Sequence, residues 1–301
     1  MPEKTATTDS KDTQTEQVRQ IPIAQIRPFK DHPFKVLDDA LMQDTVDSIM
    51  QYGVLSPAII RPSPEGGYEM VAGHRRLRAS EIAGKDTLPA IVRNLTDDEA
   101  VILMVDSNLQ RETISPMERA QAYRMKRDAL DRQRKRGRPP KEKEGQVVPN
   151  YPGKRSTEII GEQVGESYKQ VQRFIRLTEL VPEIQTMVDK GEMAFGPAVE
   201  LSYLPRDQQA GVLDAMEYSQ NMPSLSQAQQ LKRLSREGKC TQDAMYRIMS
   251  EEKKGELGQI TFKSEALRKY FPKNYTPKQM EKTIINLLEQ WQKKRQRQNE
   301  R

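Results

Sequence analysis

Gly73-His74-Arg75-Arg76-Leu77-Arg78-Ala79 is the stretch on which the reading of this 301-residue chain turns. It follows Tyr68 to Ala72, which reads as a strand, and opens His74 to Ala83, which reads as a helix closed by Gly84. A strand that ends at glycine and restarts as helix brings free backbone N–H groups and the positive end of the helix dipole to one point. Glycine lets a ligand approach the main chain closely. Arg75 and Arg76 supply forked donors that match phosphate oxygens. Two readings fit this local chemistry. One is a site for a di- or triphosphate. The other is a charged helix whose arginines face water or pair with Glu81. His74 could donate to a phosphate or cap the helix.

The flanking segments make a small mixed domain. Ile21-Pro22-Ile23 and Ile26-Arg27-Pro28-Phe29 read as extended chain. Met42, Val46, Ile49 and Met50 follow helical spacing, and Gly53 stands where that helix would stop. Pro57 to Arg61 is a strand, residues 62–67 are turn chemistry, and Tyr68 to Ala72 returns as a hairpin partner. Leu88 to Val92 is another short strand. Asp97 to Asp106 reads as a helix with Asp97, Asp98 and Glu99 in its first turn, where the dipole favours acids. At its end, Asp106-Ser107-Asn108-Leu109-Gln110-Arg111-Glu112 gathers amide, hydroxyl and carboxylate oxygens with a further arginine. Such groups suit a phosphate-bound Mg²⁺ or a polar helix end.

Composition narrows the function classes. Hydrophobic residues are 35% and charged residues 31%, so much of the chain is exposed helix, linker or tail. The net charge of +6 favours a polyanionic partner. One cysteine, Cys240, excludes a disulfide framework and a multi-cysteine zinc site. Two histidines, His32 and His74, argue against a histidine-based metal site. There is no apolar run of the ~20 residues that span a bilayer, and no signal-peptide core. The expected setting is a reducing cytoplasm.

Ser115-Pro116-Met117-Glu118 starts a helix through a capping box and proline at the first helical position. Met117, Ala120, Tyr123 and Leu130 share one face, and a basic run, Arg132 to Arg138, follows. Residues 134–155 read as an exposed basic loop. Within it, Arg136-Gly137-Arg138-Pro139 resembles an AT-hook core, which would lay Arg136 and Arg138 into an A·T minor groove. A solvated basic loop is the alternative.

Thr157 to Leu177 fits a helix-turn-helix. Ile160, Val164, Val171 and Phe174 supply apolar contacts, Gly161 is small at the crossing, and Gly165 permits the turn. Ser167 with Gln170 forms a capping box for the second helix. That helix offers Ser167, Tyr168, Lys169, Gln170, Gln172 and Arg173 to a major groove, where Gln and Arg read adenine and guanine. Helical signals continue to about Arg236, with turns at Gly191, Gly196-Pro197 and Pro205. Gly238 to Gly258 is weaker and linker-like at its ends. Ile260-Thr261-Phe262 is a strand candidate, and Thr276-Pro277-Lys278-Gln279 a capped helix start. The stripe Ile284, Leu287, Leu288 and Trp291 suits either a dimer helix or packing within its own domain.

Gly53 to Arg61, then Gly73 to Ala79, then Asn108 to Glu112, followed by a helix-turn-helix, resembles the ParB/RepB family of DNA-partition proteins over about residues 20–235. The resemblance implies an α+β fold. A mixed α/β, sulfiredoxin-like N-terminal domain (20–113) would follow a disordered tail (1–19). An all-helical helix-turn-helix domain (114–237) and a linker with a small dimerisation region (238–301) would complete it. It further implies a CTP pocket with Mg²⁺. Gly73, His74, Arg75 and Arg76 would hold phosphates, and Ser107, Asn108, Gln110 and Arg111 would line the metal side, with Asn108 on the metal. The implied activity is a CTP-dependent dimeric clamp on centromere-like double-stranded DNA, associated with a nucleoid or plasmid and served by a ParA-type ATPase. A nucleoid-occlusion or transcriptional regulator on the same scaffold is one alternative. An enzyme, a nuclease or an active CTPase, is another. Two residues depart from the family pattern. His74 stands for a glutamate, and Ser107 for a carboxylate expected near the attacking water, so CTP hydrolysis is expected to be slow or absent. The redox relative of the fold, sulfiredoxin, needs a cysteine before this histidine, where this chain has Gly73.

Overall fold

The computed structural model describes residues 17–111, 114–135 and 153–251, together with 270–272, 275–276, 279–280, 282–288 and 290. The chain divides into two compact units, 1–250 and 251–301. The first begins with β1 (Val18–Pro22), a 3-10 turn (Ile23–Gln25) and β2 (Ile26–Arg27). Then come α1 (Ala40–Tyr52), β3 (Ala58–Pro62), β4 (Tyr68–Ala72), α2 (His74–Ile82), β5 (Thr87–Val92) and α3 (Asp97–Leu109). The sheet order is β1-β5-β3-β4-β2. β3 and β4 form the expected antiparallel hairpin, with a register shift between Ile59 and Ile60. β3 also pairs in parallel with β5, and β1 closes the edge antiparallel to β5. Val18 and Arg19 pair with Ile91 and Ala90, so the last residues of the stretch read as tail belong to β1.

Burial alternates along β3, where Ala58 and Ile60 enter the core and Ile59 and Arg61 are half-buried. That is the period-two pattern of a strand with one covered face. Ile21, Ile60, Met70, Leu77 and Leu88 fill the space between the sheet and α2. Met42, Val46 and Ile49 of α1 pack on Ala79 of α2. Asp39 caps α1 by accepting from the Met42 amide at 2.9 Å. Thr96 and Glu99 form a complete capping box on α3.

Helices follow: α4 (Pro116–Lys135), α5 (Ser156–Val164), α6 (Tyr168–Leu177), α7 (Pro182–Asp189), α8 (Phe195–Leu201), α9 (Arg206–Ser219), α10 (Leu225–Arg236) and α11 (Gln242–Ser250). The α4 start is capped as expected. Glu118 N–H donates to Ser115 Oγ at 3.2 Å, and Ser115 N–H to Glu118 Oε2 at 3.1 Å. Met117, Ala120 and Tyr123 enter the helical core, while Ala122 and Ala129 enter a second core with α3, Phe29, Phe34 and Val71. α4 is thus shared by both halves of the unit, and its small residues let α3 lie close.

Two expectations are corrected. Gly196-Pro197 lies inside the first turn of α8, where a proline lacks no hydrogen bond the helix needs. The weak helical stretch within 238–258 is a helix, α11, but it sets Met245, Ile248 and Met249 in the helical core, so that domain runs past 237. The packing partners are distant in sequence, which local propensity cannot register. In the second unit, Thr276 and Gln279 form the expected reciprocal cap. Residues 260–262 and Trp291 lie outside the described residues.

Candidate phosphate site and nucleic-acid interface

Gly73 stands at the N-cap of α2 with φ +115°. A Cβ there would sit 3.0 Å from the Ala58 Cβ, so glycine is required by both conformation and space. Among the described residues no side chain caps α2, and its first turn holds no acid. The amides of the first turn therefore keep their donors and their positive field. This excludes the capping role for His74.

His74 is instead buried, with 8% of its surface exposed. Its ring lies on His32, centroid to centroid 3.8 Å, and each ring has an Nε2 with no hydrogen-bond partner among the described residues. His32 Nδ1 is 2.7 Å from the Phe34 carbonyl oxygen. Burial first, then His32 and Arg111, push the His74 imidazole down to about 3. Burial also lowers His32. The pair is neutral at neutral pH because charging it means desolvating a cation beside another cation. Arg111 lies with its guanidinium 5.8 Å from the Phe34 ring centre and interacts with His32, His74 and Arg75. Burial holds Arg111 below the usual guanidinium range, and Arg75 adds to that. His32, Phe34, His74, Arg75 and Arg111 therefore form one cationic, partly dehydrated cluster. The residues around 32–34 were missed by sequence reading. The single available signal was that they include one of two histidines.

The other box residues are placed differently. Arg76 Nη1 donates to the Ser56 and Pro57 carbonyls at 2.5 and 2.7 Å, so it ties the Gly53–Arg61 box to α2. Arg75 reaches Asp39 at 3.5 Å. Arg78, not Arg75 or Arg76, meets Glu81, at 3.4 Å, and Asp38 at 2.7 Å. At the end of α3, Ser107 Oγ and Asn108 Nδ2 donate to the Met104 carbonyl at 2.9 and 2.8 Å. Asn108 is buried, while Ser107 and Gln110 are exposed. No group of three or more His, Cys, Asp or Glu that could hold a metal occurs among the described residues. Cys240 is half-buried against the helical core, and burial raises its thiol.

The second surface is α6. Gly161 of α5 faces the turn so closely that a Cβ would lie 2.5 Å from the Glu166 carbonyl oxygen. Ile160, Val171 and Phe174 are buried in the helical core, with Val164 packed at its edge. Ser167, Tyr168, Lys169, Gln172 and Arg173 are exposed, and Gln170 is half-buried. Ser167 Oγ accepts from the Gln170 amide at 3.2 Å. The reciprocal half of the expected capping box is absent. Gln170 Oε1 instead accepts from Arg173 Nη1 at 3.3 Å, and Arg173 also lies over the Phe195 ring at 4.9 Å. Arg136 and Arg138 lie outside the described residues.

Fold and site define a class: an α+β domain with an anion-ready helix start, joined through one long helix to a helix-turn-helix. Residues 7–109 match the ParB N-terminal domain profile. Residues 7–109 thus carry a ParB N-terminal domain. The chain is 34% identical over 185 residues to Stage 0 sporulation protein J of Bacillus subtilis, covering 62% of this chain and 57% of that protein. It is 33% identical over 201 residues to the chromosome-partitioning protein Spo0J of Thermus thermophilus, covering 66% and 65%. The matched region thus spans less than two thirds of either relative. A C-terminally truncated chromosome-partitioning ParB from Caulobacter crescentus, crystallised with CTP-gamma-S, is 28% identical. The match has a TM-score of 0.30 and covers 64% of this chain and 96% of that one.

Proposed function

We propose that this chain is a CTP-dependent, site-specific DNA-binding protein of the partition type. One observation carries the reading. The uncapped start of α2 and the cluster His74, Arg75 and Arg111 converge in the same compact unit as an exposed recognition helix. The α2 amides, Gly73 and Arg75 would receive phosphate oxygens, with Arg111 adding charge from the other side. The two orphaned Nε2 atoms fit a buried site that lacks its polar partner. Arg76 would position the 53–57 loop rather than bind phosphate. The CTP supplies the bound anion whose charge the cluster is built to meet.

Mg²⁺ fits less well as a protein-held ion. Asn108 and Ser107 offer one amide and one hydroxyl oxygen, and Asn108 spends its Nδ2 on Met104. A magnesium ion there would be held mainly by phosphate and water, with Asn108 as its protein ligand. With Ser107 where a carboxylate would activate water, hydrolysis is slow or absent.

Lys169, Gln170 and Arg173 would read base edges, while Ser167, Tyr168 and Gln172 complete the groove-facing surface. Arg136 and Arg138 would add minor-groove contacts. Ile285, Leu287 and Leu288 are exposed in the second unit, which supports a homodimer through that region. A ParA-type ATPase is the expected partner and the nucleoid or a plasmid the expected location. No helix among the described residues is long and apolar enough to cross a membrane.

Calorimetry with CTP and sequencing of DNA captured in native cells test this. Binding of CTP, with one or a few spreading DNA sites, is expected. No CTP binding with or without captured DNA overturns the nucleotide assignment. Many discrete promoter peaks would make the protein a regulator.

A further inference from the structure

Lys126 is a lysine with 1% of its side chain exposed, in the middle of α4, and the function above makes no use of it. Its Nζ donates to Asp106 Oδ1 and to Gln163 Oε1. Asp106 belongs to the last turn of α3, two residues before Asn108 and five before Arg111. Gln163 belongs to α5, the first helix of the helix-turn-helix. One cation therefore joins three helices: the one that leads into the phosphate side, the shared spine and the one that supports the reading helix.

Other polar contacts of α4 join it to one neighbour each. Arg132 Nε meets Asp98 of α3 at 2.7 Å. Asp131 accepts from Ser156 Oγ of α5 at 2.5 Å. Arg119 meets Glu166, in the turn, at 3.0 Å. Met117 N–H donates to Asp189 of α7 at 2.9 Å. Among the described contacts, Lys126 alone spans α3, α4 and α5. Around it the contacts are apolar: Ala122 and Ala129 face the α3 core, and Tyr123 faces the helical core. Apolar surfaces tolerate small slides because their attraction is not directional. A buried ammonium does not, since losing a partner leaves a charge without solvent or counter-ion. Burial pushes the Lys126 ammonium down and Asp106 opposes that, in keeping with a charge held by its partner.

We propose that Lys126 couples the two sites of this chain, by transmitting movement of the last turn of α3 to α5 through Asp106 and Gln163. This rests on the nucleotide and DNA reading above. When Asn108 to Arg111 close on an anion, Asp106 moves with them. Lys126 then follows it and leaves Gln163, or stays and loses its carboxylate. Either way the support under the helix-turn-helix changes, and DNA bound at α6 biases α3 by the same amount in return. Lys126 is a positioning residue and touches neither ligand.

The test uses full-length wild type, Lys126→Met and Gln163→Ala. Methionine keeps the length and apolar stem of lysine. Gln163 is exposed, so its alanine variant removes one contact without opening the core. CTP affinity is measured with and without captured duplex, and duplex affinity with and without CTP. Both variants are expected to bind each ligand alone within ~3-fold of wild type, and the coupling ratio to fall towards one, from the ~5- to 150-fold range of allosteric systems. A coupling ratio in both variants equal to that of wild type overturns the proposal. A second arm needs no nucleotide. Hydrogen exchange of α3 amides should slow on adding duplex to wild type and stay unchanged in both variants. Equal slowing in all three proteins overturns the proposal by itself. A wild type that fails to bind CTP, yet transmits DNA protection to α3, overturns the CTP reading and leaves Lys126 as the link.

Discussion

Two helix starts in this molecule have opposite finishes. α6 begins at Ser167, whose hydroxyl satisfies the Gln170 amide, and its reading residues face water. α2 begins at Gly73, with no side-chain cap among the described residues, and next to it lies a buried imidazole whose Nε2 has no hydrogen-bond partner among them. The capped start is complete by itself and recognises through side chains that a groove can reach. The uncapped start leaves its first amides as donors, which under the proposed function meet an anion. The same backbone feature is thus closed by a side chain in one place and left open in the other. What differs is whether a neighbouring hydroxyl uses the free amides.

The sharpest way to break this contrast is Gly73→Val. The φ of +115° and the Ala58 contact make the side chain both strained and crowded. CTP binding is expected to be lost beyond detection and stability to fall by about 1–3 kcal/mol, by calorimetry and denaturant melts. DNA binding by α6 in a folded sample should remain. Loss of both together would show that the two starts are not independent in this respect.

The converse change is the triple substitution of Lys169, Gln170 and Arg173 by alanine. Affinity for the captured site should fall ~100-fold or more, since each good base contact is worth ~1–3 kcal/mol. Non-specific binding and CTP binding should persist. Unchanged site affinity in a gel-shift titration would remove α6 from the interface.

Acid separates the two regions by titration. His74 is depressed from 6.5 to about 3 in the folded protein. The unfolded chain therefore binds a proton that the folded chain refuses. The stability this confers is full above pH ~6.5 and is lost as pH falls towards ~3. Between pH ~6.5 and ~5 the loss from this group is roughly 2 kcal/mol. His74→Phe should flatten that slope in urea melts, and bound CTP should oppose it by favouring the charged ring. An identical slope in the variant would take His74 out of the buried pair.

The smallest effect is expected from Ser167→Ala. Removing this cap should cost ~1 kcal/mol, with a modest loss of site affinity and no change in CTP binding. A neutral result would mean that packing of Val171 and Phe174 alone fixes the start of α6.

The helix-turn-helix was legible because its signals are local: a small residue, a turn glycine, a capping serine and apolar residues at helical spacing. Even so, the reciprocal cap at Gln170 failed, because Arg173 competes for its oxygen. The candidate phosphate site was legible only as a box. Nothing local shows that Arg76 serves two carbonyls, that His74 is buried under His32, or that Arg111 arrives from the end of α3. The domain boundary at 237 failed for the same reason, since α11 packs on α9 and α10 and that packing is not written in its local sequence.

The sequence by itself determined where most of the capped helices begin, that Gly73 breaks the chain at a helix start, and that two helices joined by a glycine turn follow. Those features depend on caps, turns and spacing within a few residues. Only the tertiary structure decided that Arg76 is tied to two backbone carbonyls, that burial lowers the His74 imidazole, and that Lys126 lies buried between α3 and α5. Those properties depend on desolvation and on partners brought together from distant parts of the chain, and neither exists until the chain has folded.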